Sequence, residues 1–142
     1  MSMSNYLETK LLSLLLKGEA IANIADNAGS SPATQYYLSL HTASPGEGGS
    51  QTTNETTYPG YARMAVSRTS SGWTVSANTA VLTTAIEFPL GTGGSGVITH
   101  MGIGTDASGA GTLLMYGTVT PNITVGVSIA PRLTTATTIT ID

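Results

Sequence analysis

The chain of 142 residues contains no cysteine, one Trp, one Phe and only 9% charged residues. Without cysteine, disulfides and thiolate metal sites are excluded. Its five Lys and Arg are scattered, and neutralising several phosphates requires a cluster of cations, so nucleic acid is not an expected partner. No apolar run approaches the roughly 18 residues of a membrane span, so no membrane partner is expected either. The start, "MSMSNY", is neutral, and Glu8, Lys10 and Ser13 interrupt the apolar positions that follow. That pattern does not fit a secretory leader, and folding in a cytoplasm is expected.

What remains is a polar but nearly neutral surface. Ordinary domains carry about 25% charged residues, whereas here Thr, Ser, Asn and Gly must meet the solvent. Two readings suit such a surface: a protein packed against copies of itself or inside a large assembly, and a secreted β domain. A domain of this length can bury a sizeable core.

Residues 5–18, "NYLETKLLSLLLKG", read as a helix over 5–17. Asn5 is the expected cap, with Glu8 three residues on in the capping-box position. Lys17 suits the C-terminal dipole and Gly18 the left-handed C′ position. At 100° per residue Leu7, Leu11, Leu14 and Leu15 share a face, and Leu12 and Leu16 widen it. The arc is nearly twice the roughly 100° that one packed wall needs. A helix of this kind is expected to touch two surfaces, which makes these six leucines the candidate subunit-contact residues. Residues 19–35 either continue as a second helix after a break at Gly18 or run as an extended arm into a loop over 27–32.

From Tyr36 the period changes to two. "YYLSLHT" is a strand signal, and a long polar loop follows over 43–60. Further strands are expected at 61–69, 73–77, 81–89, 96–105, 112–121, 124–131 and 137–142, separated by Gly, Pro and Asp-rich breaks. This spacing predicts a mainly β, single-domain antiparallel β-sandwich or jelly roll over 36–142, carrying an N-terminal amphipathic helix. There is no internal repeat.

No catalytic constellation emerges. His41 and His100 lie in strand candidates without a neighbouring carboxylate or a second His, and read as structural imidazoles bonded to backbone. Glu87 alternates with Ile86 and Phe88 and belongs on a solvent or partner face. "GTGGSGV" at 91–97 lacks the Lys-Ser/Thr ending of a phosphate loop and reads as a hairpin connection. Trp73, Tyr58 and Tyr61 beside Asn and Thr could stack on a sugar, against the simpler reading that Trp73 anchors the core. Hence no cofactor, no metal and no enzymatic activity is expected.

Several segments in order resemble a family of small bacteriophage virion proteins, often labelled tail-fibre proteins. They are "NYLETKLLSLLLKG", "PATQYYLSLHTASPGEGG", "YPGYARMAV", "AIEFPLGTGGSGVITHMGIGT" and "GTLLMYGTVTPNITV". The resemblance spans nearly the whole chain and implies a structural protein of the virion, folded in the host bacterial cytoplasm. Two roles follow from it. One is a capsid cement or decoration protein, a homodimer or homotrimer bridging subunits of the major capsid protein. The other is a tail or head fibre component that contacts the host. The lack of a repeat and the compact length favour cement, since fibre shafts repeat. A carbohydrate-binding module is the third reading.

Overall fold

A computed structural model describes residues 4–21 and 32–141. The helix α1 spans Asn5–Leu12 and passes into one π-helical turn, Ser13–Lys17. Nine strands follow: β1 (Gln35–His41), β2 (Met64–Ser67), β3 (Trp73–Ser76), β4 (Thr79–Leu82), β5 (Ile86–Glu87), β6 (Ser95–Gly104), β7 (Leu113–Gly126), β8 (Arg132–Leu133) and β9 (Thr138–Thr140). The chain is thus mainly β, with antiparallel sheets and a short N-terminal helix, as expected. The strands form a four-stranded sheet in the order β2-β1-β6-β7, a three-stranded sheet β3-β4-β9 and the pair β5-β8. They group into two compact units, drawn from Met1–Gln35, Ser67–Ile86 and Leu133–Asp142 in one case and from Tyr36–Val66 and Glu87–Arg132 in the other.

In the first unit α1 lies against β3 and β4. The cap is Ser4 rather than Asn5: its Oγ accepts from the Leu7 amide at 3.4 Å and its carbonyl from Glu8 at 3.0 Å. Glu8 therefore sits one position too late for a capping box. The buried side of the helix is Glu8, Leu12, Ser13 and Leu16. Leu12 and Leu16 join Ile21, Trp73, Ala80, Leu82 and Leu133 as the unit's buried apolar residues. Trp73 is buried as an anchor should be, although its indole N–H has no partner among the described residues.

The helix ends at Gly18, whose φ of 68° is the left-handed C-cap expected of it. Its amide and that of Glu19 both donate to the Ser13 carbonyl, which leaves the Leu14 and Leu15 carbonyls needing donors. Arg68 supplies them. Its Nη2 donates to Leu14 O and its Nε to Leu15 O, each at 2.6 Å, and Nη1 reaches Ala33 O at 3.3 Å. A buried cation at a helix C-terminus also faces the negative end of the dipole. Thr9 ties the helix to the β3–β4 turn by donating to Ala77 O at 2.6 Å.

In the second unit β1 pairs β6 with Tyr37 opposite Gly104 and His41 opposite His100. Leu38, Leu40, Ile98 and Ile103 are fully buried in it. Strand β7 pairs β6 along two stretches, Leu113–Thr118 and Ile123–Gly126, with a register shift between them opposite Ile98 and His100 and a second opposite Ile103 and Gly104. The separate strands expected at 112–121 and 124–131 join into one strand that runs through Pro121 and ends at Gly126, five residues short of the expected end.

Other boundaries moved for equally local reasons. The 61–69 strand shortens to β2 because Tyr61 and Arg63 turn into a polar cluster. The expected 81–89 strand breaks at Thr83, whose amide donates to Gly72 O at 3.0 Å. "GTGGSGV" is no hairpin: β5 and β6 are not neighbours, and Gly91 is held by Ile129 O at 2.9 Å. Of residues 19–35, for which the sequence leaves a second helix or an extended arm open, 22–31 lie outside the described residues.

The packing of α1 predicts a sharp contrast between its leucines. Leu12→Ala should cost about 2–5 kcal/mol of unfolding free energy by urea titration, and Leu7→Ala less than about 1 kcal/mol.

Candidate functional site

The sequence singled out six leucines, and the structure divides them. Leu12 and Leu16 are buried within the chain itself, at 0% and 1% exposure. These two leucines widen the apolar arc in the sequence, and in the structure they lie on its buried side. Leu11, Leu14 and Leu15 are half-buried, and Leu7, at 38%, is exposed beside Tyr6 at 58%. The outer surface of the helix is therefore a small apolar patch centred on Tyr6 and Leu7 and flanked by Lys10.

The chain's densest polar chemistry lies elsewhere, in the second unit, and the sequence did not announce it. Arg63 forms a bidentate pair with Glu55, its Nε donating to Oε1 and Nη2 to Oε2, both at 2.7 Å. The Arg63 side chain is buried and that of Glu55 half-buried, with 3% and 12% exposure. The same guanidinium donates to Asp106 O at 2.9 Å and to Gly109 O at 2.8 Å. One planar fork thus joins the 43–60 loop to the β6–β7 turn. Glu55 raises the Arg63 pKa above its ordinary value through these hydrogen bonds.

Tyr61 completes the carboxylate's shell, donating to Glu55 Oε1 at 2.8 Å and accepting from the Leu40 amide at 3.1 Å. Burial pushes its phenol well above the usual tyrosine range. It packs edge-on to Tyr58 and stacks on Phe88 at centroid distances of 5.4 and 6.3 Å. Tyr58 is buried, with its hydroxyl donating to Pro89 O at 2.8 Å. Trp73 and Tyr58 are buried and Tyr61 half-buried, so none presents the open ring that stacking on a sugar requires.

A second link runs through Gln51, which is fully buried. Its Nε2 donates to Asp106 O at 3.2 Å, its Oε1 accepts from the Asp106 amide at 3.0 Å, and its own amide reaches Ala110 O at 2.9 Å. Gln51 lies flat on Gly104, where a Cβ would meet its Cδ at 2.1 Å. Two residues back, a Cβ on Gly102 would lie 2.7 Å from Ser39 Oγ and 2.8 Å from His41 Nε2. The glycines of "HMGIG" are spaced by two because both clear the same face of β6.

His41 is fully buried and, as expected, bonded to backbone: Nδ1 is 2.9 Å from Thr53 O and Nε2 2.8 Å from Ser39 Oγ. A carbonyl only accepts, so Nδ1 carries the proton and Nε2 accepts from the Ser39 hydroxyl. The pair has the contacts of a serine–histidine dyad but no exposure to a substrate. His100 departs from expectation, bonding the Thr99 side chain at 2.8 Å instead of backbone. Glu87 is exposed, as its alternation implied. An open cleft of about 300 Å³ is lined by Thr42, Glu55, Thr57, Tyr58, Gly96 and Val125 among others. Its one carboxylate is already engaged by Arg63 and Tyr61.

Among the described residues no three His, Asp or Glu converge as metal ligands, and no helix is long and apolar enough to cross a membrane. This arrangement defines a scaffold: a mainly β chain whose buried polar side chains cross-link its own loops. The chain matches the family described as podophage GP4 fiber I protein gp80 over residues 2–140, and it belongs to that family. It is a phage virion structural protein. No curated protein matches it.

Two outcomes follow from the cluster. Arg63→Met should cost about 2–4 kcal/mol, because it strands the half-buried Glu55 charge and leaves the Asp106 and Gly109 carbonyls without their donor, and adding Glu55→Gln should restore part of the loss in a double-mutant cycle. Burial lowers the His41 pKa below 6.5, against the opposing Thr53 hydrogen bond and Glu55 charge. Above 6.5 the imidazole is neutral folded or unfolded, and as pH falls below that value the unfolded chain binds the proton first. Stability should therefore drop from pH 6.5 downward until the folded pKa is reached. Denaturation midpoints of the wild type should fall more steeply across this window than those of His41→Gln.

Proposed function

We propose that this chain is a non-enzymatic subunit of a podophage fibre that docks on a neighbouring virion protein through the outer surface of α1. The observation that carries this reading is the family match, which runs through the helix and both units and bears a fibre description. Chemistry supports it: the polar groups of the Arg63 cluster are engaged with one another, and the apolar side chains of Tyr6 and Leu7 are exposed. A patch of this size binds by removing apolar surface from water, at about 25 cal/mol per Å². Binding that favours the assembled particle stabilises it by linkage. The neighbour's surface must be apolar, since the patch offers Lys10 as its nearest charge.

Cement on the capsid shell is the second reading, favoured by the absence of any internal repeat in the sequence. Gold-labelled antibody against the chain separates the two. A fibre subunit places label on appendages at the tail, and the antibody blocks adsorption to host cells. Label spread over the capsid faces, with adsorption intact, overturns the fibre reading. Leu7→Lys with Tyr6→Lys should leave the melting temperature within about 1–2 °C of wild type and abolish incorporation into particles.

A further inference from the structure

Strand β7 is the outermost strand of the β2-β1-β6-β7 sheet. Among the described residues it pairs with β6 and with no other strand. At 14 residues it is more than twice the usual strand length of about 5–6. Its side chains alternate between exposed and half-buried from Leu113 to Thr120, and both Leu114 and Tyr116 are 40% exposed. Soluble proteins blunt such an edge with lysine, with inward charges or with a covering segment. Here residues 107–131 contain no Asp, Glu, Lys, Arg or His. Two features interrupt the edge, a register shift between Leu113 and Met115 and Pro121 beyond Thr118, and the run from Met115 to Thr120 between them is open.

We infer that the Leu113–Thr120 edge pairs antiparallel with the same edge of a second copy of this chain, across a two-fold axis. The occupant follows from the chemistry of the edge. A two-fold pair opposes a strand with itself, so any charge of one sign would meet its like. This run has none. Self-pairing is also the match a featureless edge selects: a foreign strand would need a charge or pocket to be recognised by, and Leu114, Tyr116, Thr118 and Thr120 offer aliphatic, aromatic and hydroxyl groups. Those are the types that pair well across antiparallel strands, Thr with Thr and aromatic with aliphatic. Eight paired residues exchange about eight backbone hydrogen bonds over roughly 27 Å. The two sheets then become one continuous eight-stranded sheet. This inference does not depend on whether the protein belongs to a fibre or to the shell.

The absence of cysteine makes the test clean. Single cysteines placed at Leu114, Tyr116, Thr118 and Thr120 are oxidised alone and in pairwise mixtures. An antiparallel two-fold pair cross-links only those combinations whose two position numbers add to one constant sum. Cross-links of each position with itself at all four sites, the mark of parallel in-register pairing, overturn the proposal, as does no cross-link at any. In parallel, sedimentation of the unmodified chain should give twice the 14.5 kDa monomer mass. Tyr116→Lys with Thr118→Lys should raise the dimer dissociation constant at least tenfold while leaving the far-ultraviolet circular dichroism unchanged. A monomer at 100 micromolar, or a dimer indifferent to the two lysines, refutes the assignment.

Discussion

The Arg63 guanidinium is the junction on which the second unit depends. The loop over 43–60 contains no named strand and one buried aromatic side chain, Tyr58, so most of its attachment rests on polar contacts. It is held because Glu55, brought alongside the end of β1, meets a fixed planar cation, while Gln51 binds the backbone of the β6–β7 turn. Removing two charges from water is expensive. The cost is met here by bidentate geometry and by donors and acceptors on every side, Tyr61 on the carboxylate and the Asp106 and Gly109 carbonyls on the guanidinium. The close approach of Gln51 and His41 to the sheet in turn requires Gly104 and Gly102. Remove the side-chain network and the glycines have no purpose.

Arg68 repeats the logic in the first unit. There a π-helical turn leaves two carbonyls at the helix end without amide partners, and a buried guanidinium binds both. Two of the chain's five Lys and Arg are thus inside, bonded to carbonyl oxygens. That placement lowers the charge of the surface below what a sparse composition already implies. A surface so nearly neutral resists association weakly, which suits a protein whose working state is inside a virion.

The family resemblance gains a physical meaning from these contacts. "GYARMAV" supplies Tyr61 and Arg63, "THMGIG" supplies the two clearing glycines, and "YYLSLHT" supplies Leu38 and Leu40 to the core and Ser39 and His41 to the polar face. The segments that carry the likeness are largely those that tie one loop system together. They describe how the second unit packs and cross-links.

The sequence by itself determined the helix, its left-handed end at Gly18, the β class of the rest and the strand that begins at Tyr36. Each is set by local rules: period, capping and aromatic enrichment. It placed the helix's leucines on one arc but could not say which side of the arc turns inward, because that depends on where β3 and β4 lie. Tertiary structure alone decided that Leu12 and Leu16 are core and Leu7 is surface. It alone joined Glu55 to Arg63 and Gln51 to Asp106, contacts separated by 8 and 55 residues. A carboxylate eight residues from an arginine has no periodicity that marks it as a partner. The pairing exists because the chain folds back between them, and only the folded chain shows where it does.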